Sequence, residues 1–324
     1  MSLIFCIIVF LLSCVLIYFS GEWVVDGVLK IARYLGWREF VLSFLVMAFA
    51  GSLPNLFIGI SSALKGIPQL SLGEIVSGNL VDLTLILALP ILITGRVIHT
   101  DGKLINFTLF FTAASTIFPL LLIADGLLSR ADGIVLILFY FVYMIWLFSK
   151  KERFTRQYDE EEVEKEALGE AFSSFIKGIG KGLLGIALLV IASQGIVWSA
   201  ELIAEDLAIP IILVGIFIVG LGNSLPELYF TLKSSEKENN YMILGNIMGA
   251  VITPATLILG IVAVICPIEV NGLDNFTVAR AFLLIACLLF FLFGRTGRKI
   301  TRGEALILAS IYVFFIISQI IISF

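Results

Sequence analysis

Charge is scarce in this chain. Only 14% of its 324 residues are Asp, Glu, Lys or Arg, where a water-soluble domain carries about 25%. Histidine is scarcer still. The one copy, His99, sits in a short loop beside Thr100 and Asp101. No HExxH or GxGD stretch appears, and the single histidine lies outside the apolar runs, so an intramembrane enzyme is not expected. The four cysteines, Cys6, Cys14, Cys266 and Cys287, lie in or beside apolar runs with no CxxC pair. They read as small buried hydrophobes rather than a redox or metal centre. The first apolar segment, "SLIFCIIVFLLSCVLIYFS", lacks a basic leader and an A-x-A-like cleavage site, so it reads as a retained helix.

Apolar residues fill the space that charge leaves. They make up 60% of the chain, and mean hydropathy is +1.08. No chain of this composition could fold in water without very large exposed patches, so the protein is expected to be an all-α integral membrane protein. About 20 apolar residues cover the hydrocarbon. That criterion predicts ten transmembrane helices near 2–20 (running on to about 33), 38–64, 70–95, 104–124, 131–149, 173–200, 208–234, 239–268, 275–294 and 302–323. Between the fifth and sixth lies "KKERFTRQYDEEEVEKEALGEAF", residues 150–172, a solvated linker. Of the 21 basic residues only Lys65, Arg130 and Arg280 fall on the side opposite this linker. The excess of Lys and Arg places the linker in the cytoplasm and both termini outside, and the cell membrane is the expected location.

The chain repeats itself. Shifted by 172 residues, Ser52-Leu53-Pro54 falls on Ser224-Leu225-Pro226, Lys65 on Lys237, Leu72-Gly73 on Leu244-Gly245, and Thr84-Leu85-Ile86-Leu87 on Thr256-Leu257-Ile258-Leu259. From Val25 to Leu89, 17 of 65 positions agree without a gap. The expected domains are residues 1–149, with the repeat's centre at about 38–95, and 173–324, with its centre at about 208–268. Each half holds five helices, an odd number, so the second enters the membrane upside down. Such inverted repeats place their substrate near the midplane, between interrupted helices, and work by alternating access.

The interruptions are "GSLPN" (51–55) and "NSLPE" (223–227). Pro54 and Pro226 have no N–H, so the carbonyls of Ala50 and Gly222 lose their helical donors. Free carbonyls in hydrocarbon are costly unless they face a cavity or an ion. Ser52, Asn55, Asn223, Ser224 and Glu227 bring further oxygens to the same region. The next helices contribute "GEIVSGNLVD" (73–82) and "GNIMGAVITP" (245–254). Asp82 and Glu227 are the carboxylates deepest in this arrangement, with Glu74 a third candidate nearer a helix end. A carboxylate at mid-membrane costs at least about 3 kcal/mol and defaults to function. Carboxylate, amide, hydroxyl and carbonyl oxygens without His or Cys suit a hard cation such as Ca²⁺, Na⁺ or Mg²⁺.

At these residues the chain resembles the cation/calcium exchanger superfamily, in particular the sodium/calcium exchangers, whose two inverted α-repeats carry a Gly-Thr-Ser-Leu-Pro-Glu signature followed by a Gly-Asn-x-x-Gly-Ser-type helix. The resemblance implies that Ser52, Asn55, Asn223, Ser224 and Glu227 line the ion site, together with main-chain oxygens of Ala48 and Gly220. It implies further ligands 27 residues after each signature acid, at Asp82 and Pro254. The chain departs from the pattern at several of these positions. The first signature Glu is Asn55, the signature Thr is Gly51 in one repeat and Asn223 in the other, Pro254 has no side-chain oxygen, and Gly78 and Ala250 replace small hydroxyl residues. The implied activity is secondary antiport of Ca²⁺ against Na⁺, with H⁺-coupled Ca²⁺ or Mg²⁺ antiport as the alternative. Ca²⁺ and Na⁺ are then cargo rather than cofactors, the lipid bilayer is the surrounding partner, no nucleic acid is involved, and a monomer is expected to work alone. Two central carboxylates predict electroneutral exchange, near two Na⁺ per Ca²⁺.

Overall fold

Long apolar runs with no water to satisfy their backbone must close their hydrogen bonds internally, which in a membrane means helices. The computed structural model describes residues 3–34, 52–149, 168–236, 240–270 and 274–323. These form ten helical elements. Helix α1 spans Leu3–Tyr34, α2 is described over Leu53–Leu64, and α3 comprises Gln69–Val81, a wider π-helical turn Asp82–Ile86, and Leu87–Thr94. Helices α4 (Lys103–Leu122) and α5 (Arg130–Ser149) complete the first half. The second half runs α6 (Leu168–Leu207), the interrupted α7 (Ile211–Val214, a π turn Gly215–Val219, Gly220–Asn223, then Leu225–Glu236), α8 (Asn240–Thr253, a π turn Pro254–Ile258, Leu259–Ile265), α9 (Asp274–Arg295) and α10 (Arg302–Ser323). Among the described residues nine helices are long and apolar enough to cross a membrane, and Leu53–Leu64 is a shorter apolar one. The N-terminal part of the predicted second span and most of the predicted linker lie outside the described residues. Helix α6 begins at Leu168, five residues before the predicted start of the sixth span.

The repeat is written into local structure as well as sequence. Ser129 and Asp132 form a capping box at the start of α5. The Ser129 N–H and hydroxyl donate to the Asp132 carboxylate at 2.9 and 2.6 Å, and the Asp132 N–H donates back to the Ser129 oxygen at 3.2 Å. Their counterparts 172 residues on, Thr301 and Glu304, make the same three bonds at 2.7, 2.8 and 3.4 Å. Each box satisfies N–H groups that the first helical turn leaves orphaned, worth about 1 kcal/mol. The π turns of α3 and α8 also correspond, with Thr84 donating to the Leu80 carbonyl at 2.5 Å and Thr256 to the Ile252 carbonyl at 2.6 Å. Among the described residues four two-residue strands tie the halves together. Strand β1 (Ile98–His99), after α3, pairs antiparallel with β4 (Lys299–Ile300), before α10. Strand β2 (Leu127–Leu128), before α5, pairs with β3 (Ile268–Glu269), after α8. Both ribbons therefore join one half to the other in corresponding places. The architecture is ten transmembrane helices arranged as two inverted five-helix repeats.

Helices α3 and α8 form the centre. Their apolar windows are 78% and 72% buried, against 33% for α5 and 28% for α10. The outer helices turn Leu, Ile and Phe outward (Ile145, Leu138, Ile321 and Phe314 are exposed), as lipid permits and water would not. Buried hydroxyls mostly return to their own helix. Thr112 donates to the Thr108 carbonyl and Thr116 to that of Thr112, each at 2.8 Å. Helices α1 and α6, 32 and 40 residues long, pack along each other. Beyond the apolar window of α1, Asp26 accepts hydrogen bonds from Lys181 of α6 at 2.6 Å and Lys30 of α1 at 3.0 Å. These ammonium groups, Lys181 foremost, hold the Asp26 carboxyl below the usual carboxylate range.

Candidate functional site

The serines of the two SLP triplets have one backbone geometry. Ser52 has φ −93° and ψ −9°, and Ser224 has φ −85° and ψ −3°. Both sit in the sparsely populated bridge region, where a helix can be redirected without being abandoned. After each break the helix restarts, with Leu56 N–H donating to Ser52 O at 3.0 Å and Leu228 N–H to Ser224 O at 3.1 Å. In α7 the Ser224 N–H, which would close on Gly220 in a regular helix, instead donates to Leu221 O at 3.3 Å. Pro226 can donate nothing to Gly222. The carbonyls of Gly220 and Gly222 are thus both without their regular helical donors, in a part of the protein where such groups need another partner.

Helix α7 lies directly on α3. A Cβ at Gly73 would collide with the Ile212 carbonyl oxygen, and one at Gly215 with that of Leu70. A Cβ at Gly220 would lie 2.9 Å from the Ser77 Cβ. Glycine is required at these crossings because two backbones meet there. The π turn of α7 is stitched to α3 by Ser77, whose hydroxyl donates to the Ile216 carbonyl at 2.6 Å. This contact carries the broken end of α7 over the first half of α3.

A small polar cavity opens where the two meet. Ser52 and Asn55 of α2, Glu74, Asn79 and Asp82 of α3, and Gly220, Asn223, Ser224 and Glu227 of α7 line it. Ile75, Gly78, Ala250 and Pro254 complete the wall without side-chain polar atoms. Seven of the eight sequence-predicted ligands are brought together in this way. The eighth, Ala48, lies outside the described residues. The cavity's volume is about 10 Å³, room for about one water-sized body.

Three carboxylates face this space, one more than expected. Glu74, placed nearer a helix end by the sequence, is 1% exposed, because the glycine-mediated crossing of α7 seals the N-terminal half of α3. Asp82 is 4% exposed and Glu227 9%. The Asn223 side-chain N–H₂ donates to Glu74 Oε1 and, at 3.3 Å, to Asn55 Oδ1. Ser224 hydrogen-bonds to Asp82, and the charge of Glu227 lies close to Asp82. Among the described residues one oxygen of each carboxylate, Glu74 Oε2, Asp82 Oδ1 and Glu227 Oε2, has no hydrogen-bond partner. Among the described residues no Lys, Arg or His lines the cavity. Buried carboxylate oxygens without partners or counter-charge are costly, and a cation bound among them would remove the deficit. Among the described residues no three His, Cys, Asp or Glu side chains converge closely enough to hold a metal by themselves. Amide, hydroxyl and carbonyl oxygens would therefore have to share the coordination of any cation held there, a donor set for hard cations. Asn79, which the sequence reading did not single out, lines this cavity and also a second, mostly apolar one behind it.

Known proteins resemble the chain along nearly its whole length. The model of the sodium/calcium exchanger protein family matches residues 5–149 and 177–321. An uncharacterized membrane protein of Methanocaldococcus jannaschii is 28% identical over 95% of this chain and 96% of its own length. The sodium/calcium exchanger MaX1 of Methanosarcina acetivorans is 25% identical over 96% of this chain and 97% of its own. A solved structure of the sodium-calcium exchanger NCX_Mj soaked with Na⁺ and Sr²⁺ superposes with a TM-score of 0.63 at 26% identity, covering 98% of this chain and 99% of that one.

Proposed function

The chain belongs to the sodium/calcium exchanger family, and from that premise we propose that it moves Ca²⁺ across the cell membrane in exchange for Na⁺ by alternating access. Its family and fold are those of multi-pass membrane cation antiporters, not of enzymes. The observation that carries the reading is the set of three carboxylate oxygens in a buried cavity that, among the described residues, have no hydrogen-bond partner and no basic side chain beside them.

In this reading Asp82 and Glu227 are side-chain ligands from opposite repeats, Ser52, Asn55, Asn223 and Ser224 add neutral oxygens, and Gly220 and Ala48 add carbonyls. A cavity with room for about one water-sized body makes Ca²⁺ and Na⁺ compete for the same oxygens. An empty cavity would have to carry bare carboxylates through a closed, water-poor intermediate, which is expensive. Only loaded forms then change sides, and that restriction couples the two ions. The two halves, residues 1–149 and 173–324, act as the moving repeats around the cytoplasmic linker, with both termini outside and a single chain as the working unit.

The test is ⁴⁵Ca²⁺ uptake into proteoliposomes under imposed Na⁺, K⁺ or H⁺ gradients. Uptake that saturates with Ca²⁺ and is driven by an outward Na⁺ gradient is expected. Uptake that follows a pH gradient and ignores Na⁺ would replace this reading with H⁺-coupled Ca²⁺ or Mg²⁺ antiport. Flux that neither saturates nor needs a counter-ion would indicate a channel.

A further inference from the structure

The two repeats use the same two residue types at two corresponding places, but in opposite order. Position 55 of the first repeat corresponds to 227 of the second, and position 74 to 246. The first repeat carries Asn55 and Glu74, and the second carries Glu227 and Asn246. An acid and an amide have traded places. Both members of the first pair line the cavity, and one group bridges them, because the Asn223 side-chain N–H₂ donates to Glu74 Oε1 and to Asn55 Oδ1. The second oxygen of Glu74 is buried and has no partner among the described residues. In the second repeat the amide is occupied elsewhere, since Asn246 Nδ2 donates to Thr231 Oγ1 at 3.4 Å, and Asn246 does not line the cavity.

We infer that Glu74, rather than the residue at position 55, supplies the first repeat's counterpart to Glu227 as a direct cation ligand, with Asn223 clamping it against Asn55. The inference rests on reading the cavity as a cation site. The unpartnered Oε2 faces the ion, while Oε1 is held by the amide. Asn223 spends both N–H bonds on the first repeat, which leaves its own Oδ1 as an acceptor for a cation. The site thus regains from α3 the negative charge that α2 lacks, and the crossing of α7 at Gly73 and Gly215 makes the substitution possible by sinking Glu74 to the depth of the cavity.

The experiment is a thermal-stability titration of the full-length purified protein with CaCl₂ and, separately, NaCl, which gives apparent affinities without requiring transport. Glu74→Gln keeps the shape and an acceptor for Asn223 but removes the charge. It should weaken Ca²⁺ by roughly 30-fold or more, as expected for loss of one partner of a buried charge interaction. The decisive variant is the exchange Glu74→Asn with Asn55→Glu, which gives the first repeat the order of the second. It should restore Ca²⁺ affinity to within about tenfold of the wild type, whereas Glu74→Asn alone should not. Ca²⁺ affinity of Glu74→Gln within about threefold of the wild type, or an exchange variant that fails to fold or binds no better than Glu74→Asn, would overturn the inference. Should Glu74→Gln itself not fold, the exchange variant decides alone. Wild-type protein that responds to Ca²⁺ but shows no Na⁺-driven Ca²⁺ flux would sink the exchange reading and leave Glu74 as a ligand. Wild-type protein that responds to neither ion would sink both.

Discussion

A third carboxylate changes how the transporter should behave in an electric field. With Asp82 and Glu227 alone, one Ca²⁺ or two Na⁺ neutralise the cavity, and exchange carries no net charge. Glu74 lines the same cavity with an unpartnered oxygen. Three Na⁺ then neutralise the site, and one Ca²⁺ leaves it one charge short. A cycle of three Na⁺ against one Ca²⁺ moves one elementary charge, worth about 2.3 kcal/mol per 100 mV. At 1.4 kcal/mol per tenfold, a shift of about 100 mV should change the equilibrium Ca²⁺ ratio by roughly 50-fold. A cavity with room for about one water-sized body would have to widen to hold three Na⁺. The assay clamps proteoliposomes with valinomycin and K⁺ and measures Na⁺-driven ⁴⁵Ca²⁺ flux to equilibrium. Glu74→Gln should flatten the voltage dependence. An equilibrium ratio that stays put across the voltage range in wild-type protein would refute the charge count and return the site to two carboxylates.

Four further outcomes are expected. Asp82→Ala or Glu227→Ala should each abolish Ca²⁺ transport while size-exclusion profile and helical content remain those of the wild type, and wild-type uptake in either would remove that residue from the ligand set. Gly73→Val should lower thermal stability by several degrees and weaken Ca²⁺ binding, because its side chain would meet the Ile212 carbonyl oxygen; an unchanged melting curve would mean the helices can part at no cost. A cysteine tag after Phe324 should react with impermeant maleimide from outside intact cells, and labelling only after permeabilisation would invert the proposed topology. The Asp26 carboxyl is held low by Lys181 and Lys30, so its contribution to stability is complete above the ordinary carboxylate pKa of about 4 and fades as pH falls through the depressed folded value. Asp26→Asn should therefore remove part of the acid sensitivity of the melting temperature, and by no more than about 1 kcal/mol for so exposed a pair. Identical acid limbs in mutant and wild type would show that the pair contributes nothing.

The spans were legible because crossing a bilayer demands long apolar runs, and little else in a sequence looks like one. The breaks were legible because Pro54 and Pro226 remove an N–H wherever they stand, so Ser52 and Ser224 fall where the sequence puts them. The π turns were not. Asp82–Ile86 and Pro254–Ile258 share the geometry, yet one begins with Asp and the other with Pro, so the residue that opens the turn does not announce it. The depth of Glu74 was not legible either. Counted along α3 it is near the helix start, and its burial depends on where α7 crosses. That crossing is fixed by Gly73, Gly215 and the Ser77 hydroxyl together, a tertiary fact divided among two helices that the sequence reading weighed separately.

The site's asymmetry is the more general point. The scaffold is duplicated closely enough to repeat its capping boxes, its π turns and its backbone angles at the breaks, yet the ligands are not. Helix α3 gives the cavity Glu74, Asn79 and Asp82, while its counterpart α8 gives Ala250 and Pro254, which have no side-chain oxygen. Alternating access asks symmetry of the moving frame, because the inward and outward forms exchange the roles of the repeats. It asks of the ligands only that their charge and oxygens sum correctly at one place. A carboxylate can therefore move from α2 to α3 within one repeat, provided its new position reaches the same cavity. Comparing the repeats by identity discards the pairs 55/227 and 74/246 as mismatches, whereas comparing them by residue type shows one acid and one amide at the same two positions of each repeat, in opposite order, with Asn246 alone of the four off the cavity.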